Sequence, residues 1–226
     1  MKTQVRHKKQ VVFGGLMAAL LWMNVQPVSA QVEQCIGRQT PFCRAIDTAT
    51  ALTVQADGKL VVAGYNNTGT LLNPVNVFAL VRYKKDGSLD PTFGTGGKVT
   101  TTIDIFSDKA LALAIQKDGK LVAAGYSNYG TLGSPKYGIA LVRYNTDGSL
   151  DPTFGTGGKV TTAVGSTYDD QALRLAIQRD GKLIVAGNSH KDDQYEFALV
   201  RYNADGSLDQ TFGGTGVAMA IGHRGR

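Results

Sequence analysis

Short runs of apolar residues, each bounded by glycine or aspartate, recur along most of the chain and predict β-strands. In the second of three similar stretches the predicted strands are Lys98–Thr102, Leu111–Gln116, Lys120–Tyr126 and Tyr137–Tyr144, and these four are expected to form one sheet. The last of these is apolar at consecutive positions, so both of its faces are expected to be buried. No segment has the apolar period of a long helix. The pattern therefore predicts an all-β protein built from small sheets that are covered by their neighbours.

The same pattern of strands occurs three times. An Asp-Gly pair begins at Asp57, Asp118 and Asp180, at spacings of 61 and 62 residues. Such a pair tolerates positive φ and suits a tight hairpin between two strands. Four short strands in about sixty residues fit one blade of a β-propeller. A linear β-solenoid and a flat sandwich are the alternative architectures.

Four motifs follow one another in fixed order: DGKL, VAGY, ALVRYN and DGSLDPTFG, with small variations between copies. In this order they resemble the delta-60 repeat family of tandem bacterial repeats, and the resemblance covers residues 51–216. It implies propeller-like blades and an extracellular or surface protein, and it brings no catalytic motif. We therefore predict a β-propeller-like repeat domain of about three four-stranded blades.

The two ends of the repeat region predict how it closes. The segment Gly216–Ile221 aligns with the predicted strand at Gly158–Thr162, whereas residues 38–40, ahead of the first copy, are not strand-like. The strand Val217–Ile221 is therefore expected to supply the strand that the first copy lacks. Propellers usually have four to eight blades. Three copies thus indicate a head-to-tail homo-oligomer or a truncated piece of a longer array, and residues 222–226 form a tail outside the repeat.

The N-terminal region has the layout of a secretory signal peptide. Four cations lie in the first ten residues, the apolar run Val11–Met23 follows, and small residues precede the predicted cleavage after Ala30. The 13-residue run is shorter than the roughly 20 residues needed to span a bilayer. An uncleaved anchor is the alternative to a signal at residues 1–30. We expect no membrane span after removal of the signal, and a secreted, periplasmic or cell-surface location.

Residues 31–50 form a separate segment ahead of the repeat domain, which is predicted to cover residues 51–221. The segment holds the only two cysteines, Cys35 and Cys43, and these are predicted to form a local disulfide in an oxidising compartment. Charge limits the class of partner. The chain has 24 Lys and Arg against 18 Asp and Glu, and loss of the four N-terminal cations leaves 20 against 18. A nucleic-acid binder keeps a dense basic surface, so nucleic acid is not an expected partner.

Charged residues also recur in register, with an arginine followed eight residues later by an aspartate. The pairs are Arg82 and Asp90, Arg143 and Asp151, and Arg201 and Asp209. This regularity favours an ion pair within each blade, or an aspartate that accepts backbone N–H groups. A ring of anion-binding arginines is the alternative. The turn at Asp147 faintly resembles a calcium loop but lacks part of its ligand set, and calcium binding stays open. We predict no cofactor, no metal site and no catalytic residues, since no catalytic motif occurs.

The copies differ most in two sets of connections, at 66–76, 127–136 and 189–194 and at 103–109 and 163–171. In an up-and-down sheet both sets emerge at the same end. Variable loops on a rigid frame are where repeat proteins place binding sites, and unconstrained loop variation is the alternative. The candidate binding residues there are Tyr129, Asp169, Asp170, His190 and Asp192.

These observations predict an exported, non-enzymatic binding or interaction module with an extracellular glycan or protein as its ligand. One alternative is a propeller enzyme whose site lies on the variable-loop face, where a pair of carboxylates could act. The other alternative is a structural fragment of a longer repeat array.

Overall fold

Twelve β-strands form three four-stranded antiparallel sheets in the computed structural model, which describes residues 47–69, 74–131, 133–164, 169–191 and 194–220. All described strands belong to one compact unit. The first sheet contains β1 (Thr48–Val54), β2 (Leu60–Asn67), β3 (Asn76–Tyr83) and β4 (Lys98–Thr101). The second contains β5 (Asp108–Ile115), β6 (Leu121–Asn128), β7 (Tyr137–Tyr144) and β8 (Lys159–Thr162). The third contains β9 (Gln171–Ile177), β10 (Leu183–Lys191), β11 (Gln194–Tyr202) and β12 (Val217–Ala220). The all-β prediction is confirmed.

Each sheet uses four strands that are consecutive in the chain, and this corrects the predicted closure. Strand β4 pairs with β3, with Phe78 opposite Thr101, so it ends the first sheet and does not begin the second. In the same way β12 pairs with β11 of its own sheet. The first sheet already has four strands because β1 begins at Thr48. The prediction that Val217–Ile221 completes the first copy is therefore wrong.

Two recurring motifs explain the local shape of the sheets. In the turn between β1 and β2, Gly58 has a φ of 79° and the Asp57 carboxylate accepts the Lys59 N–H at 3.1 Å, as expected for an Asp-Gly hairpin. In each copy the glycine at the fifth position of LVVAG, LVAAG or LIVAG lies beside a β-bulge. A Cβ on Gly125 would lie 1.8 Å from the carbonyl oxygen of Lys109, so only glycine fits there.

The three sheets pack face to face, and two apolar cores fill the two joints between them. The first joint contains the side chains Val61, Ala63, Phe78, Leu80, Phe93, Leu121, Ala123, Val142 and Tyr144. The second joint contains the side chains Val122, Ala124, Ile139, Leu141, Phe154, Leu183, Val185, Val200 and Tyr202. The second sheet therefore contributes one face to each joint.

Burial on both faces is confirmed for β7, which is buried at every position from Gly138 to Tyr144. Its equivalent in the third sheet, β11, alternates instead. Ala198 and Val200 are buried, whereas Phe197 and Leu199 are exposed. The difference arises because, among the described residues, the third sheet has a neighbouring sheet on one face only. The same sequence pattern is thus fully covered in the middle of the stack and half covered at its end.

Several predictions concern the two ends of the chain. The signal peptide at 1–30 and the cysteines Cys35 and Cys43 lie outside the described residues, as does the tail at 222–226. Within the described ranges, no helix has the length and apolar character that a membrane crossing requires.

Candidate functional site

The variable connections meet at one end of the stack, which we call the variable-loop end. It comprises the described parts of 68–75, 102–107, 129–136 and 163–170, with residues 192–193 of the last connection outside the described part of the chain. Hydrogen bonds tie these connections together across the joints. The Asn76 carboxamide donates to the Ser107 hydroxyl at 3.0 Å across the first joint, and the Asp170 N–H donates to the Tyr137 carbonyl at 3.1 Å across the second joint. The prediction that both variable sets share one end is confirmed.

An aspartate in each sheet holds this end in place, and Asp108 and Asp170 are fully buried whereas Asp47 is exposed. Each lies at the start of a sheet and pairs with a residue 19 positions later, as in Asp47–Asn66, Asp108–Ser127 and Asp170–Ser189. Asp170 is fully buried and accepts the Ser189 hydroxyl and the Val164 N–H, each at 2.6 Å. Burial raises the pKa of Asp108, against the lowering effect of the hydrogen bonds that it accepts. Asp170, a predicted binding residue, is thus a buried group that holds the connection at 163–170 against β10.

A partly exposed cluster surrounds Asp169, another predicted binding residue. The Tyr195 hydroxyl donates to Asp169 Oδ2 at 2.7 Å, and the Gln171 amide donates to Oδ1 at 3.2 Å. The His190 and Tyr195 rings, on paired strands, make an edge-type contact with centroids 4.9 Å apart and planes at 63°. The hydrogen bond from Tyr195 to Asp169 raises the pKa of the tyrosine hydroxyl. We call Asp169, His190 and Tyr195 the tyrosine–aspartate cluster.

The sequence predicted two members of this cluster, Asp169 and His190, and missed Tyr195, which is 61% exposed and joins them. The sequence did contain a pointer to Tyr195, because Tyr195 is the third-copy equivalent of Tyr137. Tyr137 lies at the second joint, where its backbone bridges to Asp169 and its ring stacks edge-on against Tyr126 at 5.4 Å.

The other two predicted binding residues lie apart from the cluster. Tyr129 lies in the connection between β6 and β7. It is half-buried, and its N–H donates to the Lys136 carbonyl at 2.9 Å. Asp192 lies outside the described residues. The carboxamide of Asn128 closes the same loop by accepting the N–H groups of Gly130 and Lys136, each at 3.0 Å.

The opposite end of the stack, which we call the turn end, carries the repeated ion pairs. Arg82 Nε lies 2.9 Å from Asp90 Oδ2, and Lys59 Nζ lies 3.0 Å from the same oxygen. A hydrogen bond from Thr92, assisted by Lys59, holds the pKa of Asp90 below its usual range. The predicted Arg–Asp pair is confirmed in all three sheets. The sequence did not predict that the lysine of each DGKL motif is a second cation on the same aspartate.

The Arg82 and Arg143 guanidinium groups are fully engaged in the fold. Besides the ion pair, the Arg82 guanidinium donates to the Thr92 hydroxyl at 3.0 Å and stacks on the Phe93 ring at 4.6 Å. It also donates across the first joint to the Thr146 carbonyl. Little of the guanidinium remains for an external anion, so the geometry favours the scaffold role over a ring of anion-binding arginines.

The turn that resembled a calcium loop is closed by its own hydrogen bonds. Asp147 Oδ1 accepts the Ser149 N–H at 2.9 Å and the Ser149 hydroxyl at 2.6 Å. Both bonds lower the pKa of Asp147. Among the described residues, no group of three or more His, Cys, Asp or Glu side chains is placed to hold a metal ion. Shallow polar grooves follow the turn end at both joints, lined in part by Asp147 at the first and Asp205 at the second.

Comparison with known families supports the repeat architecture. A family model described as a domain of unknown function (DUF5122) beta-propeller matches the chain three times, at residues 55–93, 116–154 and 178–212. Each match falls within one sheet of the structure and confirms the three propeller blades that the repeats predicted. No curated protein matches the chain significantly. The chain therefore belongs to the DUF5122 β-propeller family.

Proposed function

We propose that the chain is an exported, non-enzymatic module that binds a glycan at the variable-loop end. The observation that carries the proposal is the exposed Tyr195 ring beside His190, with its hydroxyl fixed on Asp169. An aromatic ring offers an apolar face to the C–H groups of a sugar and keeps a polar tip for hydrogen bonding. A carboxylate accepts up to about four hydrogen bonds. Asp169 thus retains acceptor capacity for sugar hydroxyls beyond its two bonds to Tyr195 and Gln171.

Burial of the second carboxylate favours binding over hydrolysis. Glycoside hydrolysis by a carboxylate pair needs both groups at the sugar, at separations of about 5–9.5 Å. Asp170 follows Asp169 in the chain, but it is fully buried and bonded to Ser189 and Val164. Only one carboxylate of the two therefore faces outward at the cluster.

The binding test uses the full chain on an array of glycans, followed by titration of the glycans retained. Tyr195→Ala removes the ring, and we expect a loss of at least about tenfold in affinity, equivalent to roughly 1.4 kcal/mol. Tyr195→Phe keeps the ring and loses only the bond to Asp169, so its loss should be smaller. Lys117→Ala is the control, because Lys117 is an exposed residue at the opposite end of the stack, in the turn between β5 and β6. Absence of binding to every glycan, or equal affinity of Tyr195→Ala and the wild type, would overturn the proposal.

Export has its own test. The full chain is expressed in a bacterial host, and the first residue of the purified product is determined by mass spectrometry. Cleavage after Ala30 would leave Gln31 as the first residue. A variant lacking Val11–Met23 should stay in the cytoplasm, since the apolar run is the part of a signal that the export machinery recognises. Export of that variant, or an intact N-terminus on the exported wild type, would contradict the proposal.

A further inference from the structure

Among the residues that the structure describes, the stack of sheets ends in two faces that nothing covers and that match the faces buried inside it. On the first sheet Leu52 and Val54 are 61% and 59% exposed, whereas their second-sheet equivalents Leu113 and Ile115 pack on the first joint. The third sheet shows the same contrast. Its exposed residues Phe197 and Leu199 correspond to Ile139 and Leu141, which are fully buried in the second joint. We call the uncovered face of the first sheet the leading face and that of the third sheet the trailing face.

Polar groups repeat at the two joints in the same way. At the first joint Arg82 donates to the Thr146 carbonyl, and the Gly94 N–H donates to the Asp147 carbonyl at 2.7 Å. At the second joint the donors are Arg143 and Gly155 and the acceptors are the carbonyls of Ala204 and Asp205.

The trailing face repeats the donors and the leading face repeats the acceptors. Arg201 and Gly213 hold the donor positions in the third sheet, and within the described part of the chain Arg201 Nη1 and the Gly213 N–H meet no acceptor. Lys85 and Asp86 hold the acceptor positions in the first sheet. Donors and acceptors thus correspond one to one between the two uncovered faces.

The third matching feature is a phenylalanine ring that packs on a glycine. A Cβ on Gly148 would lie 2.9 Å from Phe93, and one on Gly206 would lie 2.9 Å from Phe154, and both rings are fully buried. The equivalent ring on the trailing face, Phe212, is half-buried. The equivalent glycine on the leading face is Gly87, where an added Cβ would meet no described atom within 4 Å.

We infer that the trailing face of one copy packs on the leading face of a second copy and forms a third joint with the contacts of the first two. The occupant is a second copy because the chain itself carries the apolar, donor and ring positions on one face and their counterparts on the other. A contact between two different faces closes into a ring when the rotation allows it. Propellers have about four to eight blades. Two copies of three sheets give six, the only multiple of three in that range.

The inference does not depend on the proposed glycan site. Tyr137, the equivalent of Tyr195, stays half-buried at the second joint. A third joint of the same geometry would therefore leave Tyr195 accessible at its rim.

The solution mass of the full chain, measured by sedimentation and light scattering, tests the ring. We expect a dimer for the wild type. Phe197→Asp on the trailing face and Leu52→Asp on the leading face should each give a folded monomer, with unchanged circular dichroism. Ile105→Asp, at an equally exposed residue on neither face, should stay dimeric. A wild-type monomer at about 100 µM, far above a micromolar Kd, overturns the inference, as does a mass that keeps growing with concentration.

Mixing the two monomeric variants tests the head-to-tail arrangement. The Phe197→Asp chain keeps its leading face and the Leu52→Asp chain keeps its trailing face, so the mixture should form a dimer through one intact joint. If Leu52→Asp alone remains dimeric, the contact pairs two trailing faces and the inference is wrong. If the mixture stays monomeric while the wild type is dimeric, the inference is also wrong.

A second pair of variants covers the case in which a charged substitution fails to fold. Asparagine tolerates the left-handed backbone of Gly87, where φ is +81°. Gly87→Asn should therefore fold and remain monomeric. Gly157→Asn is the control, since Gly157 also has a positive φ and open surroundings although its sheet is covered on both faces. A dimeric Gly87→Asn chain contradicts the third joint.

One position departs from the repeat and allows a variant that should strengthen the dimer. The Tyr144 hydroxyl donates across the first joint to the Thr101 hydroxyl at 2.8 Å. At the third joint the donor would be Tyr83, but Ala220 stands where Thr101 stands in the first sheet. Ala220→Thr supplies the missing acceptor and should tighten the dimer by roughly two- to tenfold. Weaker dimerisation of this variant would count against the third joint.

Discussion

Substitution of Gly148 by alanine should separate the cost of a joint from the cost of a turn. Gly148 has a φ of +89°, and an added Cβ would lie 2.9 Å from Phe93 Cε2, 2.9 Å from Val99 Cγ2 and 3.0 Å from the Gly94 backbone nitrogen. These atoms all belong to the preceding sheet. The Gly94 nitrogen cannot move freely because it donates to the Asp147 carbonyl at 2.7 Å. Relief of the clash therefore requires the two sheets to move apart at this point.

Two contributions give the expected magnitude. A non-glycine residue in the left-handed region costs about 1–2 kcal/mol. Overpacking of a well-packed contact costs about 1–3 kcal/mol more. Gly148→Ala should therefore lower the free energy of unfolding by about 2–5 kcal/mol. Gly181→Ala is the matched control, because its φ is +86° and the nearest atom to its Cβ would be 3.8 Å away, an ordinary contact. It should lose only the backbone contribution of about 1–2 kcal/mol.

The assay is urea unfolding followed by circular dichroism, with the m-values compared to verify that the unfolded states match. Gly206→Ala meets Phe154 and Val160 at 2.9 Å and should behave like Gly148→Ala. Equal losses for Gly148→Ala and Gly181→Ala would refute the reasoning, since the two variants differ only in the joint contact.

Three further predictions concern the core, the ion pairs and the N-terminal segment. Tyr144→Phe removes the hydroxyl that bonds to Thr101 and should cost about 1–2 kcal/mol in urea unfolding; in a double-mutant cycle with Thr101→Val the two losses should be less than additive. The pKa of Asp151 is lowered because bonds from Lys120 and Thr153 outweigh the raising effect of burial. Its stabilising contribution is therefore present above the unfolded carboxyl pKa of about 3.9 and is lost as the pH falls below it, so thermal melts from pH 7 to pH 2 should show a smaller decline for Asp151→Asn than for the wild type. The predicted Cys35–Cys43 disulfide should lower the mass of the exported chain by two hydrogens and block alkylation until reduction; alkylation without reductant would contradict it.

The sequence predicted the strands well but not their grouping into sheets. The apolar runs, the Asp-Gly turns and the two-sided burial of β7 all follow from local residue patterns. The assignment of the predicted strand Lys98–Thr102 to the following sheet was wrong, because a cyclic repeat can be divided at any of its connections. Pairing of this strand with β3, across the long connection from Lys84 to Gly97, is decided by register and packing. Neither is visible in a single copy of the motif.

The two ends of the stack were unequally predictable. The Arg–Asp pairs were expected because a charge repeated in register implies a common structural task. Lys59 was missed because its place beside Asp90 depends on the approach of the β1–β2 turn to a later connection. At the variable-loop end the sequence indicated Asp169 and His190 as candidates, but their connection through Tyr195 depends on the pairing of β10 with β11.

The use of four consecutive strands for every sheet has a consequence for how the chain acquires its structure. All ladder hydrogen bonds of a blade come from one continuous stretch of about 55 residues or fewer, as in β1 to β4 from Thr48 to Thr101. Contacts that are near in sequence lower the contact order and favour rapid formation. Each blade can therefore assemble as soon as its own stretch of chain is available, before the next stretch has followed. A duplication or loss of one such stretch in the gene would add or remove an intact blade without cutting any ladder, which makes blade number easy to change in evolution.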